Sequence, residues 1–333
     1  SSEGNVDPGR QLKFLNYKAR ISFLSERDKK DVIWWLQSWV NLIAASAVKK
    51  ADDIFSIKEF LDKNGGENIK VYVRLQRKEA FDNLNEIIDA GDWIICTHWT
   101  VEEILPKSGL SSLDIVEIVK LKGKPFAACL DKNTYPNQQD SITELIEPYI
   151  QLGTDNFLLT ENIVDENNLQ DEIIKFHDTV KSSTRQTNEL ARVKKFVQKA
   201  LSEEKIEDYI IYNCFKTSND LPIRAIICYT DTGETVSKLV SLKTIVPIIV
   251  FTKNDPVYRY VNMLWWVKWY KISQSFNYAS FKRIGKEMIR ILFKWKISLD
   301  DKILILQTDE YGVEKNENYD MINGMELYKF KNM

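Results

Sequence analysis

Few residues in this 333-residue chain could do chemistry, and their neighbourhoods narrow what that chemistry is. The two histidines are His98 and His177. His98 follows the apolar run 93–96, at the carboxyl end of an expected strand, where catalytic groups of α/β barrels sit. No serine, cysteine or carboxylate is spaced to make a nucleophile–base pair with it, so it reads as a structural histidine. His177 stands next to Asp178 inside a helical pattern and reads as a surface residue. Lys49 and Lys50 follow a short apolar run and read as a solvated turn rather than a phosphate clamp. The four cysteines (Cys96, Cys129, Cys214, Cys228) are scattered within apolar runs. They fit buried, reduced thiols of a cytosolic protein, not a disulfide or zinc framework. The segment 231–235 (Asp-Thr-Gly-Glu-Thr) follows one apolar run and opens a helical pattern. Thr230, Thr232, Gly233 and Thr235 could therefore offer backbone N–H groups to an anion. Asp231 and Glu234 oppose that, and a capped helix start is the plainer reading.

The elements that position these residues follow from periodicity. Ser25 to Asp28 is a helix start, and Val32, Trp35, Leu36 and Trp39 recur at helical spacing. Short apolar runs at 40–45, 69–75, 93–96, 126–130 and 157–160 alternate with amphipathic stretches at 53–61, 81–88, 113–121, 141–152 and 169–180. Five strand–helix alternations with buried strands predict a parallel sheet with helical crossovers. The polar stretch 181–187 is the best linker, which places a domain boundary at 183/184; the first dozen residues carry no pattern. A second α/β series follows, with strands expected at 225–230, 248–252 and 303–306. Trp265, Trp266 and Trp269 are expected on one helix, where they exceed what a single face can bury, which makes them interface candidates.

Composition limits the partners. Basic residues number 46 and acidic ones 48, for a net charge of −2, so nothing points to nucleic acid. The longest apolar stretch, 244–252, is far short of the ~20 residues that span a bilayer. A cytoplasmic location is expected. Twelve glycines are few for a chain that would cradle phosphates.

Six collinear segments resemble the pyruvate kinase family: 24–31, 41–53, 71–88, 123–125, 153–155, and 225–235 followed by 247–254. The resemblance implies the last five strand–helix units of a (β/α)8 TIM barrel (residues 1–183), followed by a three-layer α/β C-terminal domain (184–333). Five strands cannot close a barrel of eight. The resemblance also locates a degenerate active site. Arg74 stands where the family has a lysine that stabilises the enolate and the phosphoryl group. Gln76 and Thr100 replace the two carboxylates that hold divalent metal. Trp99 replaces a glycine that lies close to substrate, and Leu130 replaces a threonine. A Mg²⁺ ion wants carboxylate oxygen, so neither the Mg nor the K that the family uses is expected as a cofactor, and no metal site is intact. The 230–235 turn matches the family's effector-phosphate loop. The resulting expectation is a pseudoenzyme: a structural or regulatory subunit in glycolysis. Its partner would be an active pyruvate kinase paralogue or itself, as dimer or tetramer, with no nucleic acid and no membrane. Two alternatives stand beside it: a divergent active pyruvate kinase whose N-terminal half lies outside this sequence, and a sensor of a phosphorylated metabolite at 230–235.

Overall fold

The computed structural model describes residues 22–97, 109–130, 142–159, 169–183, 189–264, 267–271, 278–294, 296–308 and 322–332, with 101, 104 and 106. The first half is a parallel five-stranded sheet in the order β1-β2-β3-β4-β5: β1 (Leu42–Ala45), β2 (Lys70–Leu75), β3 (Trp93–Thr97), β4 (Phe126–Leu130) and β5 (Asn156–Leu159). Its helices are α1 (Glu26–Gln37), α2 (Ala51–Lys63), α3 (Lys78–Asp82), α4 (Leu84–Ala90), α5 (Ser112–Leu121), α6 (Ile142–Leu152) and α7 (Leu169–Ser183). Consecutive strands lie side by side, the half-barrel that the alternation predicts.

Local chemistry sets the helix ends. The Ser25 hydroxyl accepts from the Asp28 N–H at 3.1 Å, and Asp28 returns a bond to the Ser25 N–H at 2.8 Å, a reciprocal cap that starts α1. Ser111 and Asp114 repeat this at α5. Asp53 accepts from the N–H groups of Lys49 and Lys50, which makes the lysine pair an exposed turn and α2 start, as expected. The helix expected over 81–88 is broken at Asn83 into α3 and α4, and Gly91 closes it.

One face of the sheet packs on the helices. Val71, Val73, Leu75, Ile94, Cys96, Phe126 and Ala128 join Ile54, Ile57, Ile87, Ile115 and Val119 in one core. Alternation along the strands sends Tyr72, Trp93, Ile95, Ala127 and Cys129 to the other face, which would be the lumen of a closed barrel. That face is covered by the second domain.

The second domain is also five-stranded, in the order β10-β9-β6-β7-β8. Its strands are β6 (Ile223–Tyr229), β7 (Ile248–Thr252), β8 (Val267–Lys271), β9 (Lys302–Thr308) and β10 (Ile322–Lys329). Among the described strands only β10 is antiparallel. The helices are α8 (Glu189–Ser202), α9 (Ile206–Asp220), α10 (Glu234–Ser241), α11 (Asp255–Val261) and α12 (Tyr278–Leu292). Alternate strand residues bury against α8–α11 on one face and against Phe281 and Ile289 of α12 on the other, giving the three layers expected.

Two expectations are corrected here. Trp269 does not lie on a helix with Trp265 and Trp266: it sits on β8, paired with Val250, and α11 has already ended at Val261. The run 267–271 is short and rich in β-branched and aromatic residues, which suits an edge strand. Trp265 and Trp266 lie outside the described residues. Trp39 does not share the buried face of Val32 and Trp35: α1 stops at Gln37, and Trp39 takes φ 62° with 76% of its surface exposed. Among the described residues no helix is long and apolar enough to cross a membrane.

Candidate functional site

The carboxyl ends of β2–β4 hold the residues that the sequence nominates. Strand register sets Arg74 beside Ile95, and Ile95 beside Ala127, all on the lumen face. One step further on the same face stand Thr97 and Cys129, and Gln76 follows the end of β2. Arg74 is half-buried, and its Nε is buried with no hydrogen-bond partner among the described residues. Thr97 is buried and Gln76 half-buried. Leu130 points the other way: it packs with Ile146 and Ile150 of α6 behind the sheet, so Cys129 rather than Leu130 faces the Arg74 side. His98, Trp99 and Thr100 lie outside the described residues. The donor set at this end is one guanidinium, one amide, one hydroxyl and one thiol. Among the described residues this set lacks a carboxylate, and such a set does not fit a hard divalent cation. Among the described residues no group of three or more His, Cys, Asp or Glu side chains could hold a metal ion. His177 is exposed on α7, 3.3 Å from Asp178, a surface position as read from sequence. All four cysteines are buried, none of them in a disulfide among the described residues, and burial pushes the Cys214 thiol up.

The 230–235 turn is largely self-satisfied. The Gly233 N–H donates to Thr230 Oγ1 at 2.7 Å and the Glu234 N–H to Thr232 Oγ1 at 3.2 Å. Asp231 accepts from the Tyr229 hydroxyl at 2.6 Å. Thr235 is buried. Gly233 takes φ +84°, and a Cβ there would lie 2.8 Å from Cε1 of Tyr260. Only glycine lets the turn approach that ring.

The amino ends of the same strands are charged, and the second domain closes over them. Tyr72 stacks on Trp93 at 4.7 Å, and Trp93 meets the edge of Tyr260 from α11 at 5.8 Å. The Tyr72 hydroxyl donates to Met263 Sδ at 3.4 Å, and Asn156 Nδ2 donates to the Met263 carbonyl at 3.1 Å. Between this contact and α10 lies a cleft of about 440 Å³, lined among others by Lys58, Lys70, Asp92, Lys124, Lys238 and Tyr260. Asp92 accepts from Lys58 Nζ at 3.1 Å and from the Val71 N–H at 2.8 Å. Burial pushes its carboxyl up, but Lys58, Lys70 and the Val71 N–H hold it below its ordinary value. Lys238 bridges Asp208 at 2.7 Å and Glu234 at 2.9 Å. Burial pulls the Lys238 ammonium down, but these two carboxylates carry it above its usual value. A Cβ on Gly123 (φ +70°) would come 2.9 Å from Lys238 Cγ, so glycine permits this close approach of the two domains. Sequence reasoning missed the cleft because its residues come from distant elements. The available signal was a charged residue at each strand start: Lys70, Asp92 and Lys124.

Comparison with known proteins settles the family. The description "Pyruvate kinase, barrel domain" fits residues 1–124, and "Pyruvate kinase, alpha/beta domain" fits 208–322. The chain belongs to the pyruvate kinase family. The pyruvate kinase of Clostridium acetobutylicum is 26% identical over 276 residues, covering 80% of this chain and 57% of that protein. That of Clostridium perfringens is 22% identical over 77% of this chain and 55% of its own length. That of Dictyostelium discoideum is 27% identical over 69% of this chain and 47% of its own. The chain thus spans about half the length of the curated relatives it matches. The five-stranded parallel sheet and the second α/β domain are the corresponding partial barrel and C-terminal domain of this family.

Proposed function

We propose that this chain is a pyruvate kinase-family pseudoenzyme, a structural or regulatory subunit beside an active pyruvate kinase paralogue in glycolysis, in the cytoplasm. One observation carries the reading. Among the described residues, the end of the half-barrel where this fold does its chemistry presents Arg74, Gln76, Thr97 and Cys129 and no carboxylate to hold a metal. Phosphoryl transfer relies almost wholly on positioning and on neutralising charge, so losing the metal ligands removes most of the catalytic stabilisation. A scaffold kept without its site is kept for its surfaces. Candidate contacts are Trp265, Trp266 and Trp269, and the exposed Trp34 and Trp39.

A coupled assay of the purified chain with phosphoenolpyruvate, ADP, Mg²⁺ and K⁺ tests the loss of catalysis. No turnover is expected, and Gln76→Glu alone does not revive it. A rate in the usual enzyme range of about 1–1000 s⁻¹ overturns the reading. Light scattering on the chain co-expressed with an active paralogue tests the partnership. One complex, weakened by Trp266→Glu, is expected; separate elution with no effect of that change overturns it.

The span of about half of each relative favours a second reading. There, a longer protein completes the barrel and works as a divergent pyruvate kinase through Arg74. Activity that appears only when the preceding half is supplied would identify it. The 230–235 turn, with Asp231 and Glu234 in place, is expected to bind no bisphosphorylated sugar. Calorimetry with fructose 1,6-bisphosphate should therefore give no heat, and a sensor of such a ligand would give micromolar binding lost in Gly233→Arg.

A further inference from the structure

The charges of the interdomain cleft do not balance internally. Three adjacent strand starts carry Lys70, Asp92 and Lys124 in order, with Lys58 of α2 bonded to Asp92. Strands lie ~4.8 Å apart, so the backbones of Lys70 and Lys124 are roughly 10 Å apart across the row. Among the described residues neither Lys70 nor Lys124 has a carboxylate within ion-pair distance. Lys124 Nζ donates to the carbonyls of Gly91 at 2.9 Å and Asp89 at 3.3 Å, and Lys70 Nζ stands 5.4 Å from the Tyr260 ring centroid. Burial draws the Lys124 ammonium below its usual value, with Asp92 pulling the other way. The acidic residues of the cleft are committed or peripheral. Asp92 is held by Lys58, Glu234 by Lys238, and Asp62 and Glu67 are exposed at the mouth. The interior is therefore cationic, and its volume of about 440 Å³ suits a small molecule.

We propose that this cleft binds a compact, doubly charged oxyanion, a phosphate monoester or a small dicarboxylate, anchored on Lys70 and Lys124 and enclosed by α10 and Tyr260 of the second domain. The anchor is the row of strand starts, not the 230–235 turn, where the Gly233 and Glu234 N–H groups are already taken by threonine hydroxyls. Because the walls come from both domains, occupancy holds the half-barrel and the second domain together and raises the unfolding temperature. The proposal goes beyond the subunit reading and stands whether or not the chain transfers a phosphoryl group.

Calorimetric titration of the full chain with inorganic phosphate, and separately with malonate, at constant ionic strength set by sodium chloride, tests it. Saturable binding of at least one is expected. Phosphate alone identifies the monoester class; malonate alone identifies the dicarboxylate class. Lys70→Gln should weaken binding about tenfold or more, Lys70→Arg should restore most of it, and Lys30→Gln on exposed α1 should leave it unchanged. Among the described residues the Lys70 side chain makes no hydrogen bond and its backbone N–H bonds to Asn41, so its variants are expected to fold, as a thermal melt will verify. No saturable heat from either anion on the folded chain overturns the proposal. So does binding that Lys70→Gln leaves intact, or that Lys30→Gln weakens equally.

Discussion

The two ends of the first sheet carry opposite kinds of residue. Among the described residues, the carboxyl ends of its strands hold a half-buried arginine with an unpartnered Nε, an amide, a hydroxyl and a thiol. At the amino ends stand Lys58, Lys70, Asp92 and Lys124, together with the Lys120–Asp155 ion pair, whose side chains are both 0% exposed. In an α/β barrel the carboxyl end normally does chemistry and the amino end gives stability. On the reading proposed above the first end has lost its metal ligands, while the second keeps a charged network and the contact with the other domain. A charge survives where its removal would leave a buried partner unpaired, and it is dispensable where its partner was a ligand or metal.

The largest effect expected is at Lys120. Its Nζ lies 2.6 Å from Asp155 Oδ2, which also accepts from the Phe126 N–H at 2.8 Å. Lys120→Ala leaves a buried carboxylate and should cost about 3–5 kcal/mol in urea unfolding; a loss under about 1 kcal/mol would break the contrast between the two ends. Trp93→Ala removes the fully buried indole between Tyr72 and Tyr260. It should cost about 3–5 kcal/mol and split the unfolding transition into two, because the indole belongs to the core shared by both domains; a single transition would count against a shared core.

Asp92→Asn should cost about 1.5–3 kcal/mol at pH 7. The folded carboxyl is held below its ordinary value, so its contribution is fully present above the unfolded value of about 3.9. It is lost as pH falls through the lowered folded value. The gap between Asp92→Asn and the parent chain should accordingly close in acid; a gap that widens there would reverse the sign argued here. The smallest effect is at the other end: Gln76→Glu should change stability by no more than about 0.5 kcal/mol. A larger loss would show that the carboxyl end also carries structural charge.

Much of the fold was legible because it is local. The Ser25–Asp28 cap, the helical spacing of α1 and α2, and the five short buried runs of the first half each state their element within a few residues, and all five strands form where periodicity puts them. The strand at 267–271 was not legible. A five-residue aromatic run beside Trp265 and Trp266 suits helix or strand alike, and its pairing with β7 decides the matter. β10 was missed for a related reason. It is a late antiparallel edge strand whose partner β9 supplies the register.

The candidate site divides the same way. The resemblance nominated Arg74, Gln76, Trp99, Thr100 and Leu130, and the structure brings Arg74, Thr97 and Cys129 to one face. The side that each residue takes was open wherever a strand boundary was uncertain by one position, which is why Leu130 turns out to face α6. By itself the sequence determined the family, the two α/β halves, the capped helices and the buried thiols, since these rest on spacing and residue type. Only the tertiary structure decided that the lumen face of the half-barrel is filled by Tyr260 and its neighbours. It alone decided that lysines from α2, β2 and the start of β4 meet α10 in one cleft. Those contacts join residues far apart in the chain, and no local pattern specifies which apolar face will bury against which.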